Sequence, residues 1–288
     1  MTPRLAGRYT PPKAGRYKIA LMHTPYDGSQ PLFRIGLAPL GDAPWLERDE
    51  RLPVYLAEKD RLLRDHRDAV FGAEPGSDIA QAETLRLIEA TLNATAKPDD
   101  APLIAAARLV AEDLALLQKS TEGWRLTAGC ICFPSSWTLA EKLGKPLHDV
   151  HGSVPDFQHG TRNAAIIERI FDNLRPDEPV IRWNWSVYGN DTLHHPHLSP
   201  PRRFGDGEHA ESVWLRVERQ TLRKLPQSGA VLFTIGVHLT PLEAIEAHPE
   251  RERLTEGLIR QIEALDEAQT DYKGLSAERA LLLGRLRR

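Results

Sequence analysis

The chain predicts an α+β fold, with its strands gathered in one antiparallel block and helices before and after them. Three observations carry this. Apolar residues recur at helical spacing through the N-terminal third and again after Pro241. Apolar and bulky residues alternate over 180–188, 213–221 and 230–239. The turn sequence Leu225-Pro226-Gln227-Ser228-Gly229 joins the last two alternating runs as neighbouring antiparallel strands.

Taken in order, residues 1–30 carry Pro3, Pro11, Pro12 and Pro25 among several glycines and predict an extended N-terminal arm. A helix follows over Val54 to Asp68, rich in leucine and charged residues. Ser77-Asp78 starts the next, with Leu85, Ile88 and Leu92 on one stripe, ending near Ala94. Beyond the turn at Lys97-Pro98-Asp99-Asp100, the spacing of Leu103, Ala107, Val110, Leu114 and Leu117 predicts another helix. Leu126 to Phe133 reads as a strand stopped by Pro134, placing Leu126, Ala128, Cys130 and Cys132 on one face. The hydroxyls of 135–138 cap a short helix over Leu139 to Leu143, which Gly144 and Pro146 end. Thr161 to Leu174 is an amphipathic helix. Val180 to Tyr188 sets Ile181, Trp183, Trp185 and Val187 against Arg182, Asn184, Ser186 and Tyr188. Leu254, Leu258, Ile262 and Leu265 mark a C-terminal helix.

Composition narrows the function classes. A net charge of −3 gives no electrostatic case for nucleic acid. No apolar run reaches the roughly 20 residues of a spanning helix, and the first residues lack the apolar core of an export signal, so no membrane partner is expected. Cys130 and Cys132, the two cysteines, share one strand face, poor geometry for a disulfide, and fit a reducing cytoplasm. Glycine-rich nucleotide loops and the Gly-x-Ser-x-Gly elbow are missing from the sequence.

Several polar residues stand out. His148 and His151, three apart, present two imidazoles on one side of a turn, as ligands to a metal or as ordinary surface residues. His194, His195 and His197, with His209, fall in a long proline-containing loop that predicts a cover over one end of a pocket. Arg216, Glu218 and Arg219 place charges on a strand, which either serve a ligand or mark an edge strand facing water.

The segments AEDLALLQK at 111–119, CICFPSSWTLAEKLGKPLHDVHGSVP at 130–155, RWNWSVY at 182–188 and LRVERQTLRKLPQSGAVLFTI at 215–235 resemble the haem-dependent oxidative N-demethylase α-subunit family. The likeness runs from about Phe33 to about Glu243, so the domains implied are the arm 1–30, an N-demethylase-like domain over 31–245 and a helical extension over 246–288. The resemblance implies a PAS-like antiparallel sheet sandwich with helical additions at both ends. It also implies haem b, dioxygen and a small secondary alkylamine as substrate, with electrons from separate flavin and iron–sulfur reductase subunits. His151, which matches the family's His-x-x-Val-Pro segment, is the expected iron ligand, with His148 the runner-up and His238 the next to test. Arg216 and Arg219 would meet haem propionates, Asn184 and Trp185 would line the haem pocket, and Glu218 and Tyr188 would act on the substrate. The competing class is a haem-binding sensor or a haem-free ligand-binding module with the same fold.

Overall fold

In a computed structural model, the chain is described over residues 23–99, 101–196, 200–205 and 212–288. Most of the expected arm, together with His197 and His209, lies outside the described residues. Short strand β1 (Ala38–Pro39) leads to α1 (Leu52–Asp65), α2 (Arg67–Val70), β2 (Phe71–Ala73), α3 (Asp78–Leu92) and α4 (Pro102–Ala107). Next come β3 (Asp113–Ser120), β4 (Gly123–Cys130), α5 (Leu139–Lys142), α6 (Leu147–Val150) and α7 (Arg162–Asn173). Strands β5 (Val180–Tyr188), β6 (Trp214–Lys224) and β7 (Val231–Pro241) precede α8 (Leu242–Glu246), α9 (Arg251–Glu263), α10 (Glu267–Tyr272) and α11 (Arg279–Leu286).

The seven strands make one open antiparallel sheet in the order β1-β5-β6-β7-β3-β4-β2, with helices from both ends of the chain packed on it. This is the α+β, PAS-like arrangement that the patterning and the resemblance imply. The alternating runs fall on β5, β6 and β7, and the long β6–β7 pair runs in register from Trp214↔Pro241 to Lys224↔Val231.

Local signals explain the helix ends. Thr138 accepts from the Glu141 amide while the Glu141 carboxylate takes the Thr138 amide, a reciprocal cap that starts α5. Gly144, at φ 76°, turns the chain back after it, so that its amide reaches the Leu126 carbonyl at 2.7 Å. The Thr161 hydroxyl caps α7 through the Ala164 amide at 3.2 Å.

Two expectations are corrected. The helix expected over Leu103 to Leu117 stops after Ala107, and the residues from Asp113 form β3 instead. Leu114 and Leu116 pack in one core cluster while Ala115 and Leu117 pack in another on the other face. A strand covered on both sides is an apolar run, which in sequence mimics a helical stripe. Leu126 and Ala128 also do not share a face. Leu116 pairs with Ala128 and Leu117 with Leu126, leaving Thr127 as the extra residue of a bulge. Leu126 therefore packs with Leu117, while Ala128, Cys130 and Cys132 join the opposite core. Both cysteines are buried and free.

The start of β3 anchors the chain beyond β4. The buried Asp113 carboxylate accepts the Cys132 amide at 3.0 Å and the Phe133 amide at 2.7 Å, with the Lys59 ammonium 3.8 Å away. Asp113→Ala leaves two buried amides without their acceptor and removes the carboxylate beside Lys59, whose ammonium keeps the Glu112 and Ala107 carbonyls, and is expected to lower unfolding stability by about 3 kcal/mol. Urea titration of wild type and variant at pH 7 checks this, and a loss below about 1 kcal/mol would show that the pairing is dispensable.

Candidate functional site

The alternation of β5 and β6 builds the site. Paired residues of neighbouring strands share a face, so Arg182, Asn184 and Ser186 lie beside Gln220, Glu218 and Arg216. Their reverse sides carry Trp183, Trp185, Leu215 and Val217, packed toward α9 and α11. The polar side of the β5–β6 pair opens on a cavity of about 660 Å³, within the range of small-molecule sites. Phe233, Ile235, Ala115 and Leu117 extend its floor with apolar side chains. The opposite wall is made by α5, α6, the chain from His151 to Phe157 and the inner side of α7, while Leu32–Leu37 and Asp271–Lys273 close the sides.

His151 caps the C-terminus of α6 and lines this cavity. Its Nδ1 lies 3.0 Å from the Leu147 carbonyl. A carbonyl only accepts, so Nδ1 carries the proton and Nε2 keeps its lone pair. Desolvation by the surrounding walls, with Lys142 adding repulsion, pushes the imidazole down to about 4. The neighbouring His148 turns elsewhere: it is absent from the cavity lining, its ring lies tilted against His159 with centroids 4.4 Å apart, and its Nε2 is 3.7 Å from Asp149.

Facing His151 across the cavity is a hydrogen-bonded network on the sheet. The Lys273 ammonium, 6% exposed, donates to Asn184 Oδ1 at 3.1 Å, to the Trp185 carbonyl at 2.7 Å and to Ser186 Oγ at 3.2 Å. With its oxygen so occupied, Asn184 turns its amide nitrogen to Glu218 Oε2 at 3.2 Å, and Gln220 Nε2 donates to the same oxygen at 2.8 Å. Burial pulls the Lys273 ammonium down to about 8, although the Glu218 charge opposes the shift. Tyr188 lines the same cavity, its hydroxyl 2.6 Å from Ser135 Oγ.

Of the residues expected at the site, His151, Asn184, Glu218 and Tyr188 come together around one cavity. The other four lie off its lining. Arg216 is 0% exposed and sits over the Tyr188 ring, donating to the carbonyls of Phe133 at 2.7 Å and Leu193 at 3.1 Å. Arg219 points to the reverse face, where it binds the Trp45 carbonyl at 2.8 Å, and Trp185 donates there to Gln261 at 3.0 Å. The edge-strand explanation of these charges fails, because β6 lies between β5 and β7 and all three charged residues are buried. His238 also occupies the reverse face, opposite Val217. His194 and His195 back one end of the cavity wall: His194 Nδ1 meets the Cys132 carbonyl at 2.8 Å, and His195 lies edge-on to Tyr188 at 4.8 Å.

Sequence reading passed over Arg182, Lys142 and Lys273. Arg182 had a signal, since it stands in the polar half of the β5 alternation with Asn184 and Ser186. Its Nη2 donates to the Arg34 carbonyl at 3.3 Å, whereas its buried Nε has no hydrogen-bond partner among the described residues. Lys273 had none, because a lysine closing a short amphipathic helix reads as solvent-facing.

The family described as haem-dependent oxidative N-demethylase, alpha subunit-like, matches residues 89–283, and the chain belongs to it. The match takes in α6, the β5–β7 strands and α10, which together carry His151, Asn184, Glu218 and Lys273.

A folded ring that binds its proton less readily than an unfolded one, whose pKa is near 6.5, contributes stability fully above about pH 6.5 and loses it as the pH falls toward about 4. The ¹⁵N spectrum of the ligand-free protein is expected to show His151 as the neutral Nδ1–H tautomer from pH 8 to about 5, with protonation centred near about 4. A midpoint near 6.5 would place the ring in solvent.

Proposed function

We propose that this protein is a haem-dependent monooxygenase that removes a methyl group from a small secondary alkylamine. The observation that carries the reading is the pairing, at one cavity, of a neutral imidazole whose Nε2 meets no hydrogen-bond partner among the described residues and a carboxylate held by two side-chain amides. The residues fit haem b. His151 Nε2 would be the iron ligand, with the Leu147 carbonyl fixing its tautomer. The Arg182 Nε, without a hydrogen-bond partner among the described residues, and the Lys142 ammonium, both at the cavity, suit the carboxylates of such a group. Arg216 supports the wall beside it through the Phe133 and Pro134 carbonyls. When bound, haem supplies one-electron and dioxygen chemistry at its iron.

The chain's own groups would bind and orient the amine. The Glu218 carboxylate accepts N–H from a protonated secondary amine, and the amides of Asn184 and Gln220 hold the acceptor oxygen in place. Tyr188 and Ser135 offer a hydroxyl pair at the same wall. Leu222, Phe233, Ile235 and Ile167 exclude water from the methyl groups. Such a reaction needs electrons from outside the chain, which we assign to separate flavin and iron–sulfur reductase subunits, and we place it in the cytoplasm on the two free cysteines.

Reconstitution with haem b, followed by absorption spectra and formaldehyde release from small secondary amines with a chemical reductant and dioxygen, tests the reading. Wild type is expected to take up haem and to turn over. His151→Ala is expected to lose haem or show an altered spectrum without turnover, and His148→Ala to behave as wild type. Glu218→Gln should keep haem while weakening the amine-induced spectral change by about tenfold or more, as the loss of one charge-assisted hydrogen bond implies. A wild-type protein that takes up no haem would leave the ligand-binding module as the function of the fold.

A further inference from the structure

We propose that His23, Glu47 and His238 form a second site, on the face of the sheet turned away from the large cavity, for a divalent transition cation of the Zn²⁺ class. His238 stands on β7, Glu47 in the connection from β1 to α1, and His23 where the described chain begins. Glu47 lies between the two rings: His23 Nε2 is 2.8 Å from Oε1 and His238 Nε2 is 2.9 Å from Oε2. The ligand atoms of all three residues fall within 4.8 Å of one another. Two imidazole nitrogens and a carboxylate are the three-ligand set of open zinc sites, with one position left for water or a further carboxylate.

A second observation points to an occupant. Beside Glu47 and His238 is a cavity of about 10 Å³, lined also by Glu112 and Asp49, room for one water-sized group. Glu112 is 1% exposed; its Oε1 accepts the Glu47 amide at 2.8 Å, and its Oε2 has no hydrogen-bond partner among the described residues. A buried carboxylate oxygen without a donor is where a cation or its bound water would sit.

Two guanidinium groups share the neighbourhood, and both are engaged. Arg219 lies 3.7 Å from Glu47 and donates to the carbonyls of Trp45 and Pro44. Arg51 is held by Asp49 through Nε at 3.0 Å and Nη2 at 2.5 Å, while its Nη1 meets His238 Nδ1 at 2.6 Å. An arginine only donates, so the His238 proton is on Nε2, facing Glu47. On cation binding each imidazole gives up the hydrogen that faces Glu47 and offers Nε2 to the ion; His238 then carries its hydrogen on Nδ1, and Arg51 Nη1 withdraws from it. Arg51 therefore competes with the cation. The bound ion would fasten His23 to β7, and with it the chain leading to Leu32–Leu37 at the large cavity.

The test is metal retention by the full chain, independent of haem and of turnover. The protein is stripped with chelator, incubated with Zn²⁺, dialysed, and assayed for zinc and thermal unfolding. Wild type is expected to keep about one Zn²⁺ per chain and to unfold at a higher temperature with it. His238→Asn and Glu47→Gln should each weaken retention by about tenfold or more, Arg51→Met should tighten it, and His159→Asn should leave it unchanged. Should a sheet variant fail to fold, His23→Asn, at the edge of the site, decides. Wild type that keeps no zinc, or variants that keep as much as wild type, would overturn the site.

Discussion

A carboxylate on the inner side of a central strand must find donors, and how Glu218 finds them orders much of this molecule. Glu218 is only 8% exposed, and no arginine or lysine pairs with it directly among the described residues. Two amides do, and amides have ends: Asn184 presents nitrogen to Glu218 only if its oxygen is taken. Lys273 takes it, from α10, about ninety residues further along the chain. The helices after the sheet are thus part of the site, because they fix which way an amide on β5 faces. Burying an ammonium and a carboxylate in one network costs desolvation on both sides, which the hydrogen bonds through Asn184 offset.

The arginines of β6 answer a different demand. Irregular chain that packs against a sheet brings carbonyls with it, and each needs a donor. Arg216 supplies them to 133–134 and to Leu193, drawing the start of the α5 segment and the loop after β5 onto one end of the sheet. On the other face Arg219 does the same for Pro44 and Trp45. Fixing the 133–134 segment positions Ser135 and Ser136 against Tyr188, so a residue off the cavity lining still shapes its wall.

These roles mark the limit of what the residues alone tell. The alternation of β5, β6 and β7 was legible because each strand has chemically distinct sides, and the polar side of β5 named much of the cavity lining. The strand β3 was not, since Leu114, Ala115, Leu116 and Leu117 are apolar on both sides and the period of two disappears. The bulge at Thr127 was equally hidden, because a register shift is written in the partner strand and not in the sequence that carries it. His151 and His148 could not be told apart by spacing. Their difference lies in the Leu147 carbonyl and the cavity wall on one side and His159 on the other. Lys273 has meaning only through Asn184, a contact at long sequence distance that local pattern cannot contain.

The sheet also separates two kinds of polar chemistry by the thickness of one backbone. Glu218 pairs across β6–β7 with Val237, and the next residue, His238, points the other way toward Glu47. Side chains alternate along a regular strand, so neighbours in sequence serve opposite faces. What the two sites share is the chain that begins at His23 and passes by Tyr26, buried against the reverse face, to Phe33 and Ile35 at the large cavity. Any hold on His23 shortens the free length of that chain. Its effect on the cavity would then come through the restricted movement of a wall and not through the field of a distant charge.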